Sequence, residues 1–270
     1  MRYCGYPERI LSLSKETRRV MLRRISLAEE FEDTTGVSPW SFIYYFHMPT
    51  RLIPFGNNEY YHVYNRGIKR QPTFLVKKDY ERFLTTLSYY RFKNPPTKLA
   101  NFLKIARAER EKIFSKLKNS KEILVDIICY VFMPNHYHFL LKQNVDNGIS
   151  TFIRKTINSY SRYFNTKYHR DGSLFKGVFM AKHVDSDEQL LHLTRYIHLN
   201  PLISLSVKEK DYPNYLWSSL AEYMSTKKSI VSTDLIMSNF KSPKVYLDYI
   251  LDRKDYAKEL DSIKHMILES

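Results

Sequence analysis

A near-continuous apolar run constrains the fold of this chain more than any other feature of its sequence. Residues 122–132, EILVDIICYVF, have the length of a strand and are followed by the turn sequence Met133-Pro134-Asn135. Such a run is typical of a strand that is buried on both faces. The residues after the turn, HYHFLLKQ, predict the hairpin partner of that strand. We therefore expect a central antiparallel hairpin.

The segments on either side of this hairpin predict further strands and helices. Turn residues and apolar spacing place the elements in the order strand, helix, strand, strand, helix, strand, helix. A charged stretch before the hairpin, LKIARAEREKIFSKLKN, predicts a solvated helical insertion. This order favours an α+β fold, an antiparallel sheet with helices packed on one face. The other expected elements are a strand from Tyr60, helices over 77–90 and 149–165, and a strand within 172–184. A last helix is expected to begin after Ser186 and to end at Asn200, because Pro201 disfavours the helical conformation in the residue before it.

The charge balance favours a polyanionic partner. Lys and Arg number 43 against 28 Asp and Glu, which leaves a formal net charge of +15, and the chain also contains 22 Tyr and 16 Phe. Cations interleaved with aromatic rings suit unpaired bases and phosphates better than they suit a lipid surface. We therefore expect single-stranded nucleic acid as the partner and no membrane association.

The cysteines and the N-terminus indicate the compartment. Cys4 and Cys129 are the only cysteines in the sequence, so neither a disulfide framework nor a cysteine metal cluster is expected. The first residues carry scattered charges and do not resemble a secretory signal, and the longest apolar runs are too short to span a bilayer. A cytoplasmic protein is expected, associated with the bacterial nucleoid when it is bound to DNA.

Residues 1–50 differ in composition from the rest of the chain. They contain an Arg-rich stretch and a small acidic patch but no recognisable motif. We interpret them as a basic extension of unknown role, and Met48 could be the functional start. Residues 51–205 are expected to form the main domain, and residues 206–270 a C-terminal helical extension.

His136-Tyr137-His138 is the sharpest local motif. Alternate residues of a strand point to the same face, so both imidazoles could converge on one metal ion. Imidazole is a common metal ligand, but the chain contains nine histidines, and two half-buried strand histidines are the alternative interpretation.

The last predicted helix places a second set of polar side chains on one stripe. His192, Tyr196 and Asn200 are spaced four residues apart, whereas Leu190, Leu193 and Ile197 form a separate apolar stripe. A phenol on such a stripe could act as a nucleophile. On this evidence alone Tyr160 and Tyr163 compete with Tyr196 for that role.

Three segments together resemble a known family. MPNHYHFLL, LFKGVF and SDEQLLHLTRYIHLNPL, in this order and spacing, resemble the REP-associated tyrosine transposases, which are relatives of the insertion-sequence 200-like transposases and of the HUH single-strand nucleases. The resemblance covers residues 60–202, and YLWSSLAEYM resembles the Trp-Ser-Ser segment that commonly follows. Tyr137 departs from the pattern, because a plain hydrophobic residue is usual there.

The resemblance implies a fold, a reaction and a set of site residues. It implies a ferredoxin-like core, a divalent metal, Mg²⁺ or Mn²⁺, held by His136 and His138, and a third ligand at Asn200. Tyr196 is then the nucleophile that takes the 5′ phosphate of a cleaved single strand and leaves a free 3′ hydroxyl. The expected partner is single-stranded DNA, as a hairpin with a flanking recognition sequence, bound by a monomer or a homodimer.

Phosphate and base contacts are expected from nearby cations and aromatic rings, although a solvated charge or a core ring is the alternative at each position. The predicted DNA-binding residues are Arg66, Lys69, Arg70, Arg154, Arg162, Phe175, Lys176, Phe179 and Lys182. Two non-catalytic readings stay open at this point. The first is a sheet that recognises RNA, and the second is a domesticated, binding-only descendant of a transposase.

Overall fold

The computed structural model describes residues 54–204, 212, 215–225 and 230–252. The chain divides into two units, residues 1–56 and residues 57–270. The basic extension and Met48 lie outside the described residues.

Four strands form one antiparallel sheet in the spatial order β2-β3-β1-β4. With one long helix between β1 and β2 and another between β3 and β4, this is the ferredoxin-like β-α-β-β-α-β topology. The expected α+β class and the central hairpin are confirmed. The strands are β1 (Tyr60–Arg66), β2 (Val125–Met133), β3 (His136–Gln143) and β4 (Met180–Val184).

Helices connect and follow these strands. The insertion predicted from its charge forms a helix, α3, of which only Leu117 is buried, so it is solvated as expected. None of the described helices is long and apolar enough to cross a membrane. The helices are α1 (Lys77–Tyr90), α2 (Leu99–Phe102), α3 (Arg107–Ser120), α4 (Gly148–Tyr168), α5 (Asp187–Ile203), α6 (Leu220–Tyr223), α7 (Asp234–Met237) and α8 (Pro243–Leu251).

Helices α1 and α4 cover one face of the sheet through an aromatic cluster. The ring of Phe83 on α1 lies 4.8 Å from that of Tyr160 on α4 and 5.1 Å from that of Phe132 on β2. These rings are fully buried. Aromatic pairs at such distances stabilise a core beyond the area that they bury.

Helix α5 packs on the opposite face of the sheet. Helices therefore cover both faces, and the expectation that they pack on a single face is corrected. Leu193 and Ile197 of α5 are buried in a cluster with Cys129 and Val131 of β2 and Leu140 of β3. The reason lies in β2, which is apolar on both faces and therefore needs a covering layer on each side.

The C-terminal segment packs against the core. The Phe132 amide donates to the Trp217 carbonyl at 2.8 Å, and the Ser219 amide donates to the Tyr130 carbonyl at 3.0 Å. Residues 217–219 therefore extend the hydrogen bonding of the sheet beyond β2, and the short helices α6, α7 and α8 follow. Among the described residues of the expected C-terminal extension, this strand-like segment directly precedes α6.

Helix α5 does not end at Asn200, as Pro201 had suggested, but continues through the proline to Ile203. Proline inside a helix removes one hydrogen bond and usually ends the helix. Here the helix has only one further turn to make, and the Ser204 amide caps it by donating to the Asn200 carbonyl at 3.0 Å. The Tyr212 hydroxyl also donates to the His198 carbonyl, at 3.1 Å.

Candidate active site

The two histidines of β3 point to the same face of the sheet. Their ring centroids lie 5.1 Å apart, with an angle of 89° between the ring planes. On β1, Tyr64 pairs with His138 and Arg66 pairs with His136. A cavity of about 300 Å³ opens beside them. Its described lining residues are Tyr64, Asn65, Arg66, His136, Tyr137, His138, Lys176, Gly177, Val178 and Met180.

The turn before His136 is held by the segment that follows β1. Pro134 fixes its own φ at a negative value, so the β2–β3 loop cannot be the mirror-image turn that two-residue hairpins favour. The amides of Gly67 and Thr73 donate to the carbonyls of Asn135 and Pro134 at 2.7 and 2.8 Å. A Cβ atom on Gly67 would lie 2.0 Å from the Gln71 carbonyl oxygen, so this close packing requires glycine.

The protonation of His136 follows from its neighbours. The Asn135 side-chain amide donates from Nδ2 to the Arg70 carbonyl at 3.2 Å, which orients its Oδ1 towards His136. The Nδ1 atom of His136 lies 2.6 Å from that Oδ1, which can only accept. In its neutral form His136 therefore carries its proton on Nδ1 and presents a lone pair on Nε2.

His138 contacts a third histidine that the sequence did not single out. Its Nδ1 lies 2.9 Å from Nε2 of His62 on β1, and both side chains are buried. Two tautomers satisfy this contact. In one of them His138 donates from Nδ1 and presents a lone pair on Nε2, as His136 does.

The histidine pair has the donor chemistry of a partial metal site. Metal-ligating imidazoles usually engage their second ring nitrogen in a hydrogen bond, and both His136 and His138 do so. The described residues contain no group of three or more His, Cys, Asp or Glu side chains that could hold a metal ion.

Tyr196 faces this pair from α5. Its ring lies 5.6 Å from the His138 ring in an edge-on arrangement and 6.3 Å from the His62 ring. Its side chain is buried. The helix thus brings a phenol against the histidine face.

The two competing tyrosines lie on the other side of the sheet. The Tyr160 hydroxyl donates to the Thr73 carbonyl at 2.6 Å, and the Tyr163 hydroxyl donates to Asp79 at 3.1 Å. Burial raises the pKa of both phenols above its ordinary value. Neither belongs to the histidine face.

Asn200 and His192, the other two polar residues on the Tyr196 stripe of α5, do not share the position of Tyr196 against His138. Asn200 is buried in the last turns of α5, and among the described residues its side-chain amide forms no hydrogen bond with either β3 histidine. His192 lies one turn before Tyr196, 3.4 Å from Glu188 and 3.5 Å from the Tyr249 hydroxyl. The structure thus brings Tyr196 together with His138 but shows no such contact for Asn200.

A buried polar network holds α5 in this position. The His198 Nδ1 atom lies 2.6 Å from the Tyr246 hydroxyl of α8, and its Nε2 lies 2.8 Å from the Ser219 hydroxyl. Burial lowers the pKa of His198 to about 3, so the ring is neutral at ordinary pH. The Ser219 hydroxyl donates to the Tyr130 carbonyl at 3.2 Å. The network therefore links α5 to the sheet and to α8.

The predicted DNA-binding residues fall into three places. Arg66 and Lys176 line the cavity beside the histidines, and Lys182 pairs with His62 across β1 and β4 and so shares its face. Lys69 and Arg70 are exposed on the turn after β1, and Phe179 is half-buried before β4. Arg154 and Arg162 are exposed on α4, on the other side of the sheet.

The prediction that Phe175 contacts DNA is wrong. Its side chain is buried, and its ring lies 5.5 Å from that of Tyr137 and 6.5 Å from that of Tyr160. The ring is part of the aromatic core and is not available to stack on a base.

Sequence reasoning missed His62, Tyr64 and Asn135. The local signal for the first two was present, because alternate residues of the strand YYHVYNR share a face. Nothing in the sequence showed which strand would lie next to β3, so the pairing with His138 could not be read from it. Asn135 was recognised only as a turn residue.

In comparisons with known proteins, one segment of the chain matches a family model. Residues 95–200 match a family model described as "Transposase IS200 like". No curated protein matches. One solved structure that aligns with the chain is described as "Structure of the REP associates tyrosine transposase bound to a REP hairpin", with 12% identity, a TM-score of 0.46, and coverage of 70% of this chain and 96% of that chain. The segment matched by the family model contains His136, His138, Tyr196 and Asn200.

Proposed function

We propose that this chain, whose residues 95–200 match the family model of IS200-like transposases, cleaves and rejoins single-stranded DNA with Tyr196 as its nucleophile. The observation that carries the proposal is the edge-on contact of Tyr196 with His138, at 5.6 Å between ring centroids. A phenol and an imidazole pair from separate elements meet on one face of the sheet, beside a cavity that cations line.

The proposed reaction is a reversible exchange of phosphodiester bonds. The Tyr196 hydroxyl oxygen attacks phosphorus and loses its proton. As the new oxygen–phosphorus bond forms, the bond between phosphorus and the 3′ oxygen breaks. The 3′ oxygen then takes up a proton. The products are a 5′-phosphotyrosine and a free 3′ hydroxyl. A 3′ hydroxyl from another strand reverses the step and joins the two strands without ATP.

His136 and His138 are the proposed ligands for Mg²⁺ or Mn²⁺, each through Nε2. An ordinary phenol has a pKa of about 10 and is a weak nucleophile, and a divalent ion polarises the phosphate and stabilises the charge that develops. Two imidazoles with an amide suit Mn²⁺ somewhat better than Mg²⁺.

Asn200 is the proposed third ligand, and helix geometry supports this choice. Strand β4 ends at Val184, which pairs with Tyr60, and helix α5 begins at Asp187, so the helix starts at the end of the sheet opposite His136. Because Tyr196, further along the helix, contacts His138, the helix runs towards the end that carries His136. From Tyr196 to Asn200 the helix advances about 6 Å. From His138 to His136 the strand covers a similar distance, about 7 Å. Asn200 thus lies one step nearer to the His136 end than Tyr196 does.

The proposed role of His62 is to position His138. If His138 donates from Nδ1 to His62, its ring orientation and its tautomer are both set for ligation through Nε2. His62 is therefore a positioning residue, which does not itself touch the DNA.

The cations on this side of the molecule are proposed to hold the cleaved strand. Arg66 and Lys176 line the cavity, and Lys182 lies on the same face of the sheet as His62. Lys182 is only partly exposed, and this burial lowers the pKa of its amine. Lys69, Arg70 and Phe179 are proposed as outer contacts to the strand that flanks a hairpin.

The RNA-binding alternative is disfavoured by the burial of the sheet. RNA-recognition domains stack bases on aromatic rings exposed on a sheet face. Here the aromatic rings of β2 and β3 lie under α1 and α4, and the histidine face carries Tyr64, His62 and His138, all of which are buried.

A denaturing gel of labelled DNA tests the proposal. Wild-type protein with Mn²⁺ should form a covalent adduct with a hairpin that carries single-stranded flanks. Tyr196→Phe should form none, and the His136→Ala/His138→Ala double variant should bind the DNA without forming the adduct. Tyr160→Phe is the matched control and should retain the adduct, because its hydroxyl lies on the other side of the sheet.

Two outcomes would contradict the assignment. An adduct that persists in Tyr196→Phe would move the nucleophile elsewhere. DNA binding by wild-type protein with no adduct under any metal would favour a binding-only descendant.

A further inference from the structure

The cavity beside the histidines has a part that the proposed cleavage chemistry does not use. Its volume is about 300 Å³, and its described lining includes Asn65, Val178 and Met180 as well as the two histidines and the cations. This volume lies at the lower end for ligand pockets, so the cavity suits a single small group such as one nucleobase. These three side chains therefore influence which group can enter.

The Asn65 side chain has a fixed orientation and one donor that is not used within the protein. Its Oδ1 accepts from the Arg66 backbone amide at 2.8 Å, which identifies the other amide atom as Nδ2. Only 7% of the residue is exposed, and Nδ2 donates to no residue in the described part of the chain. Buried polar groups are normally hydrogen-bonded. A ligand that brings an acceptor into the cavity supplies the partner for Nδ2.

Val178 and Met180 form an exposed apolar rim at the same cavity. Val178 is 41% exposed and Met180 is 52% exposed. The segment that carries them is held against the end of β1, because Met180 pairs with Tyr64 and the Lys176 amide donates to the Arg66 carbonyl at 2.8 Å. A single exposed apolar side chain is ordinary on a protein surface, but two that border one cavity favour a ligand with an apolar part.

A hydrogen-bond donor beside an apolar rim matches one edge of one nucleobase. Thymine presents the O4 acceptor next to its C5 methyl group. Cytosine presents the N4 donor in place of O4 and has no methyl group. That donor would face the Asn65 donor, and both would lose a hydrogen bond. Guanine offers acceptors but no methyl group, and it would leave the apolar rim uncovered.

We propose that this cavity is a specificity pocket for one unpaired thymine of the bound strand. Asn65 donates from Nδ2 to the thymine O4, and Val178 and Met180 contact the methyl group. The identification of the ligand as single-stranded DNA rests on the proposed function, but the base preference requires neither a metal ion nor cleavage. Asn65 is therefore a residue that determines specificity and takes no part in the chemistry.

The test measures Kd by fluorescence anisotropy in the presence of a chelator. The probe is a DNA hairpin with a single-stranded flank of deoxycytidines, in which one position at a time carries thymine. Thymine should lower the Kd at one position. There, uracil should raise the Kd about 4-fold relative to thymine, because it lacks the methyl group. At the same position 5-methylcytosine should raise it about 5-fold or more, because it replaces O4 by an amino group.

One variant should reverse the preference. Asn65→Asp replaces the Nδ2 donor by an acceptor and keeps an oxygen that can accept from the Arg66 amide. It should therefore bind the 5-methylcytosine probe more tightly than the thymine probe. Loss of all preference in Asn65→Ala supports the same contact without the added charge.

A second variant separates the methyl contact from the hydrogen bond. Val178→Ser/Met180→Ser should remove the difference between thymine and uracil and retain the difference between thymine and 5-methylcytosine. The matched control is Leu235→Ser/Val245→Ser, because both residues are exposed and apolar and neither lines the cavity. The control should leave every Kd unchanged.

Three outcomes would overturn the proposal. They are equal Kd values for thymine, uracil and 5-methylcytosine at every flank position, tighter binding of guanine than of thymine at the selected position, and an unchanged thymine preference in Asn65→Asp. Failure of the proposed function is distinguishable, because it appears as a missing covalent adduct while the thymine preference persists.

Discussion

At the residue scale, the buried pair of His62 and His138 connects the fold to the proposed metal chemistry. His62→Leu removes the ring nitrogen that lies 2.9 Å from His138 Nδ1, so this contact no longer fixes the ring orientation and the tautomer of His138. We expect Mn²⁺ affinity to fall about 10- to 100-fold, as is typical when a partner behind a ligand is lost. Isothermal titration of the DNA-free protein with Mn²⁺ measures this directly.

His183→Leu is the control for this prediction. His183 is exposed on β4, between Glu59 and Asp185, and should leave Mn²⁺ affinity unchanged. Thermal unfolding of both variants shows whether each is folded. Wild-type affinity in a folded His62→Leu protein would remove His62 from the site.

At the scale of elements, α8 determines how firmly α5 is held. Tyr246→Phe removes the hydroxyl that lies 2.6 Å from His198 Nδ1 and leaves a buried acceptor without its donor. The cost should be about 1–3 kcal/mol in the free energy of unfolding. Urea unfolding measures it, and Tyr249→Phe is the control, because its hydroxyl lies 3.5 Å from His192 in a half-buried position. Equal stability of Tyr246→Phe and wild type would show that this network does not anchor α5.

At the scale of the whole molecule, the predicted DNA-binding cations lie on both sides of the sheet, because Arg66 and Lys176 line the cavity beside the histidines and Arg154 and Arg162 are exposed on α4. One DNA molecule that engages both should bind more tightly than either of its parts, because the second contact becomes intramolecular. We therefore expect a hairpin with a single-stranded flank to have a lower Kd than the closed hairpin or the isolated flank. Fluorescence anisotropy with the three DNAs measures this.

Two comparisons check that both sides of the sheet contribute. Arg154→Gln/Arg162→Gln should abolish most of the advantage of the joined DNA over the isolated flank. A fully paired duplex that contains the flank sequence should be a poor substrate for cleavage, because its bases cannot separate to reach Tyr196. Equal Kd values for the joined DNA and the isolated flank would contradict binding on both sides of the sheet.

Local patterns in the sequence were sufficient to predict the elements and two components of the site. The apolar run of β2, the alternation in β3 and the spacing of α5 predicted a hairpin, a pair of histidines on one face and a tyrosine on a polar stripe. These predictions rest on periods of two and of three to four residues, which depend only on backbone geometry within one element. The resemblance of three segments to a family supplied the proposed roles.

Only the tertiary structure decided which elements meet. The pairing of β1 with β3 puts His62 behind His138, and the packing of α5 opposite α1 and α4 puts Tyr196 on the histidine face. The same packing buries Phe175. Strand order, the choice of sheet face and the burial of one ring depend on contacts between residues far apart in the sequence. The periodicity within a single element does not encode those contacts, because the same amphipathic strand or helix can be buried against more than one partner.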